Sequence, residues 1–275
     1  MMTRRTALAQ LLFGTKLTAA LRGGTLQSHG GQPGDVRQLI RKAQAVAREQ
    51  FELAARYLGQ EDIRVFDVKQ NGRKTLRSWS TYEASILEGS PYYRLVARNG
   101  KPLTKRMQAE QDRRMALETE YRRKTPPSER RSTARYSTNL QHLLDYHDLT
   151  NEGENKMDGR RVWVIGSRLK ADAPAPAKYE DLLLAADSTH WIDQETGAVL
   201  RWRLVIKRPM HSWSIGAVNE KITLTLADAA GKPIFVPKQM SALVREEEGM
   251  VRQTVQSFSN YKRFEADSLI TFDPK

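Results

Sequence analysis

Histidines flanked by aspartates are the first residues in this sequence whose types suggest chemistry. The segment HLLDYHDL, residues 142–149, contains His142 and His147 together with Asp145 and Asp148. Imidazoles and carboxylates serve as metal ligands and as general acids or bases. A spacing of five residues places the two histidines on opposite faces of a strand and well apart on a helix. We therefore interpret them as ordinary polar side chains, and we predict neither a metal site nor a catalytic residue.

Other signatures of catalysis or cofactor binding are missing from the sequence. The segment VIGSR at 164–168 lacks the Gly-x-Ser-x-Gly turn that exposes the nucleophile of many hydrolases. We find no phosphate-binding glycine loop, zinc-binding spacing or dinucleotide fingerprint. The chain has no cysteine, which excludes disulfides, thiolate ligands and a lipid-bearing N-terminal cysteine. We predict a protein that performs no chemistry and uses no cofactor.

The charge balance favours contact with something anionic. The chain of 275 residues has 45 lysines and arginines against 32 aspartates and glutamates, a formal net charge of +13. Eleven basic and five acidic residues fall within a charged insert predicted at about 101–135, whose long helix ends at Pro126 and Pro127. Opposite charges four residues apart are typical of a solvated helix face. The alternative is a contact with a polyanion or with lipid head groups.

The N-terminal segment resembles an export signal. Arg4 and Arg5 precede a short apolar run at 7–13, an order typical of a signal of the twin-arginine type. Lys16, inside the apolar region, favours the alternative of a basic N-terminal helix in a cytoplasmic protein. We predict export to the periplasm, where the product would be soluble, with or without association with an envelope membrane.

The rest of the chain divides into a leading helix and many strands. A glycine-rich linker completes the segment 1–34, and a single domain is predicted at 35–275. Apolar residues at helical spacing, with Asp35 as N-cap, predict a helix over 35–58. Period-two patterns predict three strands before the charged insert and about eight after it, including strands at 143–150, 250–258 and 261–272.

About eleven strands are more than a flat two-layer sheet holds without curling. We therefore predict an α+β fold with a strongly curved antiparallel sheet or a partial barrel. Pro237 within one of these strands predicts either an edge position or a β-bulge, where such a barrel could open.

One strand combines a large apolar row with a charged face. In AVLRWRLVIK, residues 198–207, a large apolar side chain recurs at every second position from Leu200. The apolar row consists of Leu200, Trp202, Leu204 and Ile206, and the opposite face consists of Arg201, Arg203 and Lys207. The apolar row requires cover, which is either an ordinary packed core or a bound ligand.

The order of the elements and several short phrases resemble a known family. The phrases are DGRRVWVIGSRL at 158–169, THWIDQETGAVLRWRLVIK at 189–207 and VQSFSNYKRF at 255–264. Over about residues 35–272 the chain is similar to the outer-membrane lipoprotein-sorting carriers, the LolA/LolB-like group, as a divergent member with an additional basic insert. The resemblance implies a strongly curved antiparallel sheet, an unclosed β-barrel, that wraps over helices and leaves an apolar hollow for acyl chains.

The resemblance therefore implies a monomeric periplasmic carrier or binding protein for lipoprotein acyl chains or other lipids. The predicted lining of its hollow is apolar and consists of Trp163, Ile165, Leu200, Trp202, Leu204, Ile222 and Leu224. The alternative function is a basic module that binds nucleic acid or another polyanion at the envelope. Tyr121 is the single aromatic residue within the charged insert before 135, which disfavours nucleic acid as the partner.

Overall fold

The fold is an eleven-stranded antiparallel sheet with helices on both sides. The computed structural model describes residues 35–54, 56–126, 140–176, 179–209, 215–227, 231–245 and 251–263. The predicted export signal and linker at 1–34 lie outside the described residues. The strands are β1 (Tyr57–Val68), β2 (Lys74–Leu87), β3 (Ser90–Arg98), β4 (Lys101–Pro102), β5 (His147–Met157), β6 (Arg160–Leu169), β7 (Ala186–Asp193), β8 (Val199–Ile206), β9 (Val218–Ala227), β10 (Pro233–Arg245) and β11 (Val251–Arg263).

Three α-helices and one 3₁₀ helix accompany the sheet: α1 (Val36–Ala54), α2 (Lys105–Lys124), α3 (Gln141–Tyr146) and the 3₁₀ helix Tyr179–Leu184. The strands lie side by side in the order β4-β3-β2-β1-β11-β10-β9-β8-β7-β6-β5. The end strands β4 and β5 do not pair with each other in the described chain. The prediction of a curved, unclosed barrel over helices is confirmed.

Helix α1 begins and packs as its sequence predicts. The Asp35 carboxylate accepts a hydrogen bond from the Arg37 amide at 2.8 Å, which satisfies one of the unpaired donors of the first turn. Ile40 and Ala43, one turn apart, have no exposed surface. They pack with α3, the 3₁₀ helix and Trp202 of β8 in the main hydrophobic core. The face of the sheet that carries α1 is called the inner face below.

The packed core lies under one half of the sheet. Both hydrophobic clusters draw their strand residues from β5–β8 and β10, and none from β1–β4 or β11. No apolar side chain that the structure describes on β1–β4 or β11 is fully buried. The other half of the inner face therefore lacks a dense core of its own.

Three predicted strands differ from the structure. Residues 141–146 form helix α3, so β5 begins only at His147. Leu143 and Leu144 are consecutive and both buried, which suits a short helix better than a strand whose side chains alternate between faces. The strands predicted at 250–258 and 261–272 are one strand, β11, up to Arg263, and the remainder lies outside the described residues.

Pro237 lies at a β-bulge of β10, at the point where β10 and β11 separate. The register between β10 and β9 shifts between Pro237 and Gln239. β11 pairs with β10 only from Gln239 onward, whereas its C-terminal half pairs with β1 alone. The sheet therefore splits beside Pro237, and a residue without an amide hydrogen leaves no unpaired donor there. The Tyr261 hydroxyl donates to the Pro237 carbonyl across this split at 2.6 Å.

Candidate ligand-binding site

A row of side chains crosses the inner face from β6 to β2. Residues opposite each other on neighbouring strands share a face, so the strand register identifies the members of this row. We call it the central row, and it consists of Ile165, His190, Trp202, Lys221, Met240, Gln256, Ile63 and Ser80. It joins the packed half of the inner face to the other half.

Several residues of the predicted lining belong to the packed core. Ile165 and Leu204 have no exposed surface, and Trp202 is 8% exposed. Trp163 is half-buried against the same cluster. In this half of the sheet the protein's own helices cover the apolar row of β8.

The remaining predicted residues lie elsewhere. The register of β7 and β8 shifts so that Leu200 is the extra residue of a bulge, and it packs in the second cluster with Val162 and Phe235. Ile222 pairs with Arg201, on the face opposite Trp202, and Leu224 follows two residues later on that outer face. The structure therefore divides the seven predicted residues between two clusters and two faces.

The residue that does stand beside Trp202 is Lys221. Its neighbour on the other side is Met240, which is 3% exposed. Burial lowers the pKa of Lys221 to about 8. Sequence reasoning missed this lysine because it counted the apolar residues Ile222 and Leu224 as the inward-facing set of β9. The sequence of β9 shows only that side chains alternate between two faces. It does not show which of the two faces is the inner one.

The buried histidines form a structural polar network. His190 Nε2 lies 2.8 Å from the Ser188 hydroxyl, which is in turn hydrogen-bonded to the Ser167 hydroxyl. His147 Nε2 lies 2.8 Å from the Leu183 carbonyl. Burial, with a smaller contribution from His147, lowers the pKa of His190 to about 3, so its ring is neutral. The described residues contain no group of three or more potential metal ligands.

The half of the inner face beyond Met240 carries apolar side chains that are only half-buried. We call it the open inner face, and its apolar residues are Ile63, Val65, Tyr82, Leu95 and Phe258. Helix α1 makes its main sheet contacts with β10 and β5, outside this region. Glu61, 2% exposed at its margin, accepts a hydrogen bond from Gln256 Nε2 at 3.0 Å.

Some of the basic residues outside this face are paired with acidic side chains. Arg201 Nε donates to the Glu220 carboxylate at 2.7 Å, and its guanidinium lies 4.6 Å from the centre of the Trp191 ring. Helix α2 has three ion pairs between residues four apart, as expected for a solvated face. Arg122 is 6% exposed and fixes α2 to β2 and β3 by donating to the Leu87 and Pro91 carbonyls.

None of the helices in the described ranges combines the length and the apolar character that crossing a bilayer requires. No family model matches the sequence, and no curated protein matches it.

Solved structures of bacterial proteins are similar to this chain in fold. One, described as an outer membrane lipoprotein-sorting protein domain from Vibrio parahaemolyticus, is 9% identical, with 84% of this chain and 94% of that chain covered and a TM-score of 0.38. A DUF1329 family protein from Desulfovibrio piger is 12% identical, with coverage of 86% and 95% and a TM-score of 0.35. A LolA superfamily protein from Nitrosomonas europaea is 10% identical, with coverage of 86% and 97% and a TM-score of 0.32. The descriptions of the Vibrio and Nitrosomonas proteins name the lipoprotein-sorting or LolA group.

Proposed function

We propose that the protein is a periplasmic carrier or binding protein for the acyl chains of lipids or lipoproteins, and that it performs no chemistry. The acyl chain would lie against the open inner face. The observation that carries the proposal is the uneven burial of the inner face. The half under α1 is packed, whereas Ile63, Val65 and Leu95 are only half-buried.

The physical requirement for such a carrier is apolar area that the protein leaves available. Each buried methylene contributes about 0.8 kcal/mol, so a chain of ~15 methylenes requires on the order of 10 kcal/mol of replacement burial. A row of half-buried Ile, Val, Leu and aromatic side chains on a curved sheet can supply that area. Trp202 would then form the boundary between the packed core and the ligand.

The test of this function is a binding measurement with face-specific variants. Native mass spectrometry of protein purified from its own host should show co-purified lipid, and the purified protein should bind a fluorescent fatty acid. Ile63→Asn should weaken that binding at least about tenfold, since a buried amide without a partner costs about 1–3 kcal/mol. Ile222→Asn is the matched control, because Ile222 is a half-buried isoleucine on the outer face.

Two results would contradict the proposal. One is a wild-type protein that carries no lipid and takes up no fatty acid. The other is an equal loss of binding in both isoleucine variants, which would point to general destabilisation. Fractionation of cells that express the chain with and without substitution of Arg4 and Arg5 tests export separately.

A further inference from the structure

Lys221 is a cation on the inner face between two apolar neighbours. Its cross-strand partners are Trp202 on β8 and Met240 on β10, both of which are buried. Opposite residues in an antiparallel sheet lie about 4.5–5.5 Å apart at Cβ, so these two side chains flank the lysine closely. The next member of the central row toward the open inner face is Gln256.

The described structure gives Lys221 no counter-charge. None of the ion pairs and hydrogen bonds among the described residues includes its ammonium group. On the outer face, by contrast, Arg201 of the neighbouring strand has Glu220 as its ion-pair partner. Burial lowers the pKa of Lys221 to about 8, so the group is charged at neutral pH in surroundings that disfavour the charge. An ammonium placed in this way attracts an anion from outside the chain.

A second polar side chain accompanies the lysine on the same strand. Asn219 precedes Lys221 by two residues, on the same inner face, and is 7% exposed. Its cross-strand neighbours are Leu204 and Ala242, which offer no polar side-chain atom. Its amide makes no hydrogen bond to any residue that the structure describes. β9 therefore presents an ammonium and an amide, both able to donate, to the interior of the sheet.

We infer that Lys221, with Asn219, binds the anionic head group of a single-chain lipid whose acyl chain lies on the open inner face. This inference rests on the proposed acyl-binding function and adds the class of ligand, an acyl chain that ends in a carboxylate or a phosphate. The head group would sit between Trp202 and Met240, and the chain would extend past Met240 toward Ile63 and Val65. No bond is made or broken.

The experiment compares ligands that differ only in the head group. Isothermal titration at neutral pH would use dodecanoate, dodecanol and dodecyl phosphate, each below its micelle concentration. Because a hydrogen bond to a charged group contributes about 1.5–3 kcal/mol, we expect wild-type protein to prefer dodecanoate over dodecanol by about 10- to 100-fold. Lys221→Met should abolish this preference with dodecanol binding retained or improved, and Lys221→Arg should keep it.

Matched controls separate a local effect from a general one. Lys156 is exposed on β5, so Lys156→Met should leave the preference unchanged. Asn219→Leu should reduce the preference by about 3- to 10-fold, since it removes one donor and keeps the charge. Tighter, Lys221-dependent binding of dodecyl phosphate would identify phosphate as the head group and support the inference. Tighter, Lys221-dependent binding of dodecanoate would likewise identify carboxylate.

The outcomes distinguish this inference from the proposed function. Equal affinity for dodecanoate and dodecanol, or an acid preference that survives Lys221→Met, would overturn the role of Lys221 and leave acyl binding standing. If none of the three ligands binds the wild-type protein, both the inference and the proposed function fail.

Discussion

The side-chain amide of Gln50, on helix α1, hydrogen-bonds to the backbone of β10 as a neighbouring strand would. Its oxygen accepts from the Phe235 amide at 3.1 Å, and its nitrogen donates to the Pro233 carbonyl at 3.4 Å. These groups lie in the N-terminal part of β10, which does not pair with β11 because the sheet splits there. A glutamine on the helix thus satisfies backbone groups that would otherwise lack a partner on that side.

Loss of the Gln50 amide should therefore destabilise the protein. We expect Gln50→Ala to lower the free energy of unfolding by about 1–3 kcal/mol, because it leaves partly buried backbone groups unsatisfied. Chemical denaturation measures the change. Gln38→Ala, at an exposed position of the same helix, is the control and should change stability by less than about 0.5 kcal/mol. Equal effects of the two substitutions would show that Gln50 contributes nothing to the split edge.

Lys221 should reduce stability in the absence of ligand. Its folded-state pKa of about 8 lies below its ordinary value of 10.5, so the unfolded chain binds the proton more tightly. The destabilisation caused by the buried ammonium is complete below pH 8 and disappears as the pH rises to about 10.5. Lys221→Met should raise the free energy of unfolding at pH 7 by about 1–3 kcal/mol, with a smaller gain at pH 10. A variant less stable than the wild type at pH 7 would contradict this prediction.

His190 should make the protein sensitive to acid. Its folded-state pKa of about 3 lies below the ordinary value of 6.5, so protons favour the unfolded chain between these values. The contribution of neutral His190 to the free energy of unfolding is complete above pH 6.5. It declines toward pH 3, with a slope of up to about 1.4 kcal/mol per pH unit. His190→Asn should be less stable at pH 7, because it loses the bond to Ser188, and its slope should be shallower. Urea denaturation from pH 7 to 4 gives the stability at pH 7 and its slope with pH. An identical slope in the wild type and the variant would show that His190 does not cause the acid sensitivity.

Asp193 stabilises the hairpin between β7 and β8. Its carboxylate accepts two hydrogen bonds from Arg160, at 2.7 and 3.0 Å, and one each from the Thr196 amide and hydroxyl. Burial by itself would raise the pKa of Asp193, but the bonds from Arg160 and Thr196 together hold that pKa below its usual value. Asp193→Asn should destabilise the protein by about 2–4 kcal/mol at pH 7, since it removes the buried charge partner of the Arg160 guanidinium.

Glu195 provides the control for Asp193. It also contacts Arg160, at 3.3 Å, but its side chain is 84% exposed. Glu195→Gln should change the free energy of unfolding by less than about 1 kcal/mol, as is typical of exposed ion pairs. Thermal unfolding of both variants measures the two changes in stability. Comparable losses of stability would show that the burial of Asp193 does not strengthen its bonds to Arg160.

Local patterns in the sequence predicted the features that depend on a single element. Asp35 at the start of α1 follows from the hydrogen bond that a short polar side chain offers to a nearby amide. Pro237 predicted a bulge for the same kind of reason, because a proline cannot donate to a ladder. Helix α2, Lys105–Lys124, lies within the predicted charged insert.

The sequence alone determined that about eleven strands and a leading helix form an antiparallel, unclosed barrel, because alternation and helical spacing are properties of each segment. Only the tertiary structure decided which face of β9 points inward, since period two fixes the alternation along a strand but not its register with the neighbours, and one bulge exchanges the faces. That register places Lys221, rather than Ile222, beside Trp202. Likewise, the side on which α1 packs decided that β5–β8 and β10 hold the core and that β1–β3 and β11 keep an open inner face, because a helix can cover only part of a sheet this wide.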